Sequence, residues 1–135
     1  MKASISFSEL QDVLAENTKQ PISLAYIDDK TIHAAANLSF GFIKKSVDVN
    51  LRIIDITGSD LLVCYNGGFG MDKLVGLALN FLKEKIPVGL IEDRGNCQLM
   101  FHLGQIEQVK AVFDKIDVRD ISVLFDGIQV EGKLK

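Results

Sequence analysis

From residue 31 to residue 43 the chain alternates without a break. Ile32, Ala34, Ala36, Leu38, Phe40 and Phe42 fall on one side of a period-two pattern, and Thr31, His33, Ala35, Asn37, Ser39 and Gly41 fall on the other. A helix would scatter the first set around its circumference, whereas an extended strand puts all of it on one face. The stretch SVDVNLRIIDIT repeats the pattern with Val47, Val49, Leu51 and Ile53 against Asp48, Asn50 and Arg52. Its doubled Ile53-Ile54 then shifts the parity to Ile54 and Ile56, the mark of a bulge that lets the strand curl. On either side, PISLAYID alternates at Ile22, Leu24 and Tyr26 before the turn Asp28-Asp29-Lys30, and DLLVCYN follows the turn Gly58-Ser59-Asp60. The expected product is a four-strand antiparallel meander over residues 22 to 66.

The remaining segments read mainly as helices. Ser8 is the expected N-cap of SELQDVLAENTK, in which Leu10, Val13 and Leu14 share a face. MDKLVGLALNFLKEKI is apolar over most of its circumference, with one narrow stripe of Lys73, Gly76, Asn80 and Lys83-Glu84, so it needs cover on most sides. Pro87 ends it. VGLIEDRGNCQLMFHL then predicts a hairpin turning at Asp93-Arg94-Gly95, with Cys97 and His102 on its second strand. LGQIEQVKAVFDKI places Ile106, Val109, Val112, Phe113 and Ile116 at helical spacing. A last strand carries Ile121, Val123 and Phe125, kinks at Asp126-Gly127 and continues through Ile128 and Val130. The fold expected from this order is a single α+β domain over residues 1–135, in which a curved antiparallel β-sheet wraps the largely apolar helix of residues 71–86.

With 135 residues the chain is long enough for one hydrophobic core. A net charge of -3, with scattered lysines and arginines, gives no field for a nucleic-acid backbone, so that partner is excluded. The two cysteines lack metal-ligand spacing and read as buried thiols. The N-terminal stretch is broken every few residues by Ser, Glu or Asp and has no apolar core of signal-peptide length, and no run of about 18 apolar residues occurs anywhere. A cytoplasmic protein is expected.

CYNGGFGMDK, residues 64–73, has the glycines of a phosphate loop, but Lys73 follows Asp72 and precedes Leu74, so the anion would meet a carboxylate and the hydroxyl that holds magnesium is missing. The dinucleotide fingerprint fails as well, because Lys73 occupies its third glycine position. The glycines are expected to serve the corner where strand becomes helix. His33 has no companion ligand at useful spacing. Cys97 and His102, an odd number of residues apart on one strand, would point to opposite faces and could not act as a nucleophile and base. No S-x-x-K or G-x-S-x-G motif is present. The expectation is a protein without catalysis, cofactor or metal.

What remains is an apolar surplus: 47% of the residues are hydrophobic. It can fill a packed core, line a groove for an apolar ligand, or meet another chain. Following the meander, the tip from Phe42 to Ser46 is expected at one end, the Gly58-Ser59 turn at the other, and the chain returns so that Asn66 to Gly70 joins the first tip. Phe40, Phe42, Ile43, Lys44, Lys45, Phe69 and Met71 would gather there, apolar side chains ringed by lysines, as a site for an anionic amphiphile or a membrane surface. The succession of LRIIDITGSDLLVCYNG, an almost wholly apolar helix, CQLMFHL and ISVLFDGIQVEGKLK resembles the tubular lipid-binding superfamily of bactericidal permeability-increasing proteins. That resemblance implies a curved sheet around a helix and an apolar groove for lipid. Expected partners are therefore a lipid or other amphiphile, with peripheral membrane contact; the alternative is a protein-interaction or self-assembly module that forms homo-oligomers.

Overall fold

The alternating segments do become strands, and their pairing follows the chain. In the computed structural model, which describes residues 1–18, 21–40, 42–66, 73, 75–76, 79–80 and 89–135, β2 (Ile22–Asp28), β3 (Thr31–Phe40), β4 (Ile43–Thr57) and β5 (Asp60–Asn66) form the expected antiparallel meander. β6 (Ile91–Gly95) and β7 (Gln98–His102) extend it to a six-stranded sheet of order β2-β3-β4-β5-β7-β6. The doubled isoleucine is a bulge: Ile53 pairs with Val63 and Asp55 with Leu62, so Ile54 has no partner and stays half exposed. The extra residue brings Ile56, opposite Leu61, back to the face of Ile53, and all three join one core. A second bulge leaves Ile27 unpaired between Tyr26 and Asp28.

The wrapped-helix expectation is overturned. Among the described residues 62% are in strands and 24% are helical, and the strands divide between two sheets with no long central helix enclosed by either. Lys73, Val75, Gly76, Leu79 and Asn80 are helical, and Val75 is buried against Val63, Tyr65 and Leu99 of the large sheet, with Leu79 packed beside it. A second cluster, Phe113, Ile116, Val118 and Ile121, gathers Ile53, Ile56, Leu61, Ile128 and Val130 and includes none of those helical residues. The apolar surplus is thus divided over two cores that meet at Ile53 and Leu61. An amphipathic face needs cover, but periodicity does not say which element supplies it.

The second sheet accounts for the other corrections. The kink expected at Asp126-Gly127 is a full reversal: β8 (Ile116–Leu124) turns through Phe125-Asp126 and returns as β9 (Gly127–Leu134), which pairs along it. The N-terminal residues, not anticipated as a strand, form β1 (Lys2–Ser6) on the far side of β9. Glycine permits this pairing, because a Cβ on Gly127 would collide with the backbone oxygen of Ile5. The first helix, α1 (Phe7–Thr18), is capped by Ser6 and not by Ser8. Ser6 Oγ accepts from the Glu9 amide at 3.1 Å while the Ser6 amide donates to Glu9 Oε1 at 3.3 Å, a reciprocal capping box. Phe7, the first helical residue, is buried and its amide donates to the Asp126 carbonyl. A short 3₁₀ turn (Leu103–Gln105) leads into α2 (Glu107–Lys115), whose buried Phe113 and the adjoining Ile106 and Ile116 match the expected face, although Val112 is 38% exposed.

The sheets are tied where β2 turns into β3. The Val123 amide donates to the Asp29 carbonyl at 2.8 Å, the Ile53 amide donates to the Lys30 carbonyl at 2.7 Å, and Lys30 Nζ donates both to Asp120 Oδ1 and to the Ile121 carbonyl. The outer edge of β2 is closed as well, since Gln11 Oε1 of α1 accepts from the Leu24 amide at 2.8 Å. The Val123 and Leu24 amides lie on edge strands, so these two bonds occupy groups that would otherwise offer pairing to another chain.

Candidate functional site

The strand lengths do not match, and the mismatch makes a projection. β3 has 10 residues and β4 has 15, but β2 pairs only as far as Ile22 with Ala36, and β5 only as far as Asn66 with Asn50. Beyond those points β3 and β4 pair, among the described residues, only with each other, as a two-stranded ribbon that reaches the pair Phe40–Ile43. Ser39 sits opposite Lys44 and Leu38 opposite Lys45, so Leu38 and Phe40 continue the register of Ile32, Ala34 and Ala36. Along the other parity Ser46 Oγ donates to Asn37 Oδ1 at 2.7 Å, a cross-strand bond that holds the ribbon from its polar side. Phe42 lies in the connection at the tip and is fully exposed (107%); Lys44 beside it is exposed too.

Of the residues expected to gather into a site, Phe40, Phe42, Ile43, Lys44 and Lys45 do share this ribbon end, because they adjoin in sequence and flank one turn. Phe69 and Met71 lie outside the described residues. Asn66 ends β5 opposite Asn50, and the stretch of β4 from Asn50 to Ile43 spans about 23 Å at the strand rise of about 3.3 Å per residue; the expected return of the glycine corner to the tip falls on residues outside the described ones. Strand direction alone cannot detect such an overhang.

The titratable groups form a different cluster that the sequence concealed. His102, at the end of β7, pairs in register with Asp60 at the start of β5; its Nδ1 lies 2.8 Å from Asp60 Oδ1 and its Nε2 lies 3.5 Å from Glu92 Oε1. The hydrogen bond to Asp60 raises the imidazole pKa above its ordinary value, partial burial works against that, and the two carboxylate charges add to the rise. An imidazole held by an aspartate is the orienting half of a catalytic triad, but here a second carboxylate faces the nitrogen that a nucleophile would use. Cys97 is not on the strand with His102: it stands in the β6–β7 turn at φ 61° and packs against the first core cluster. His33 Nδ1 lies 2.8 Å from Asn50 Oδ1, its cross-strand neighbour. Only sheet register brings these partners together, so no spacing in the chain could have announced them.

Among the described residues no three His, Cys, Asp or Glu side chains are placed to hold a metal ion. A hollow of about 320 Å³ between the 3₁₀ turn and α2 is bordered by Ser59, Lys110, Phe113, Asp114, Asp117 and Lys135. Its rim mixes both charges, which selects no class of ionic ligand. Among the described residues no helix is long and apolar enough to cross a membrane. Comparison with known protein families, curated proteins and solved structures returns no match. The likeness to tubular lipid-binding proteins therefore gains no support from relatives, and the fold it implied is not the one adopted.

Proposed function

We propose that this protein is a non-catalytic binding protein that engages an anionic amphiphile, such as a charged lipid at a membrane surface, through the tip of the β3–β4 ribbon. The observation that carries the reading is Phe42, a large aromatic side chain fully exposed at the end of a projecting ribbon, with exposed Lys44 next but one to it. A phenylalanine in that position adds nothing to the core, while burying it in an acyl boundary is worth about 1.5–3 kcal/mol. Each lysine near an anionic surface adds about 1 kcal/mol. Such energies suit weak, reversible contact, with the apolar and ionic parts separable by salt.

Cosedimentation with phosphatidylserine-containing vesicles, against phosphatidylcholine vesicles, tests it. The expected result is binding to the anionic vesicles that weakens as salt is raised and does not vanish, since only the lysine contribution is screened. Lys44→Glu with Lys45→Glu should reduce binding at low salt. Phe42→Ser should reduce it at every salt concentration. Absence of binding by the unaltered protein to both vesicle types would remove this reading.

A further inference from the structure

The opposite end of the same strands carries a second exposed aromatic surface. Tyr26, the last paired residue of β2 before its bulge, and Phe125, in the β8–β9 turn, bring their rings to 6.1 Å across the junction of the two sheets. Phe125 is 85% exposed, Ile27 in the bulge is 47% exposed and Tyr26 41%. Exposed Asp29 and Asp126 adjoin this patch, with Asp28 half-buried at the end of β2. Among the described residues Lys30 bonds Asp120 and the Ile121 carbonyl, and exposed Arg52, in register with Thr31, acts on Asp28 only through space. Bonds from the Lys30 amide and the Thr31 side chain hold the Asp28 carboxyl below the usual carboxylate range, so it remains charged at neutral pH.

The patch is therefore apolar and aromatic with an acidic border, and the ribbon tip is aromatic with a basic border. We infer that the Tyr26–Phe125 patch receives the Phe42, Lys44 and Lys45 ribbon tip of a second copy of this chain, in a head-to-tail contact. A chain cannot make the contact with itself, because the ladder from Thr31 to Phe40 separates the two surfaces by about 30 Å of extended strand. Two different surfaces meeting in this way form a heterologous interface, which generates open chains or closed rings and not a symmetric pair. A hairpin tip covers less than the roughly 800 Å² per partner of a stable interface, so association is weak and dependent on concentration. This inference shares the tip with the amphiphile reading but does not rest on it; the two contacts exclude each other.

Sedimentation velocity over a range of protein concentrations tests the idea, with two variants that leave the core untouched. Phe125→Ser removes the receiving surface, and Phe42→Ser with Lys44→Glu and Lys45→Glu removes the entering one. The unaltered protein should show a mass that grows with concentration. Each variant alone should associate more weakly by roughly tenfold or more, the loss expected when one buried aromatic contact is deleted. Mixed together, the variants should form a capped one-to-one pair, because one retains a working tip and the other a working patch. A symmetric dimer indifferent to both variants, a monomer at every concentration, or variants that fail to complement each other would overturn the inference. Phe125→Ser should keep full vesicle binding, so loss of complementation and loss of vesicle binding report separately on the two contacts. Anionic vesicles should dissolve the assemblies of the unaltered protein; assemblies that persist on the vesicle surface would contradict a shared tip.

Discussion

The two ends of the β3–β4 ladder differ in what they are tied to. At the Thr31 end the preceding turn is held from both sheets: the Lys30 carbonyl by Ile53, the Asp29 carbonyl by Val123, and the Lys30 ammonium by Asp120 and Ile121. Thr31 itself is buried, a rare place for a hydroxyl side chain. At the Phe40 end the ladder continues with no neighbouring strand among the described residues, the Asn37–Ser46 bond spans the two strands, and the Phe42 side chain at the tip is wholly exposed. The same strand pair therefore contributes stability at one end and surface at the other. Apolar side chains near the junction raise the cost of unfolding, while an apolar side chain at the tip can act only on something outside the chain.

The comparison is tested most severely by placing a charge at each end. Val123→Asp, at a position 3% exposed beside Asp29, should cost about 4 kcal/mol or more in urea unfolding, whereas Phe42→Asp should change stability by less than about 0.5 kcal/mol. Similar losses from both would end the distinction. Gly127→Ala should cost about 2 kcal/mol, because the added methyl meets the Ile5 carbonyl and pushes β1 off the small sheet. Faster amide exchange in residues 2–6 than in β3 would show that the damage stays local. Lys30→Met keeps the aliphatic stem but removes the ammonium bonds to Asp120 and Ile121, with an expected loss of about 1 kcal/mol, since this pair is partly exposed.

A smaller effect is expected from pH. His102 has a raised pKa in the folded protein, so its pairing with Asp60 and Glu92 stabilises fully below the unfolded value near 6.5 and is lost as pH rises through the higher folded value. Urea midpoints should therefore fall modestly from pH 5.5 to pH 8.5, and Asp60→Asn should flatten most of that slope. Asp28 and Asp120 act in the opposite direction: hydrogen bonds from Lys30 lower both, so their contribution is present above about pH 4, the ordinary carboxylate range, and is lost as the pH falls through their lowered folded values. The smallest effect of all should come from Phe42→Ser, silent in stability and visible only in binding.

Some of this architecture is local in origin and stood in the sequence. Strict alternation identified β3 and β4, and the doubled Ile53-Ile54 located the bulge, because side-chain parity is a property of consecutive residues. The reciprocal Ser6–Glu9 cap was also within reach, since Ser-x-x-Glu stands in the sequence; Ser8 competed for it, and the strand of residues before the helix was missed. The aromatic and lysine residues of the tip could be named because they adjoin one turn. Their overhang could not, because it depends on where β2 and β5 stop pairing.

Other features were decided only in three dimensions. Residues 125 and 126 are equally compatible with a kink or a reversal; pairing of β9 with both β8 and β1 selects the reversal, since it satisfies the ladder hydrogen bonds of all three. Periodicity called for cover over the apolar helical residues, and for Val75 and Leu79 a face of the large sheet supplies it. Tyr26 and Phe125, and His102 with Asp60, lie far apart in the chain and meet through sheet order and register. Periodicity determines which face of an element must be buried, a matter of neighbours in the chain; what buries it depends on contacts between distant segments, whose formation costs loop entropy and is settled by the packing of the whole.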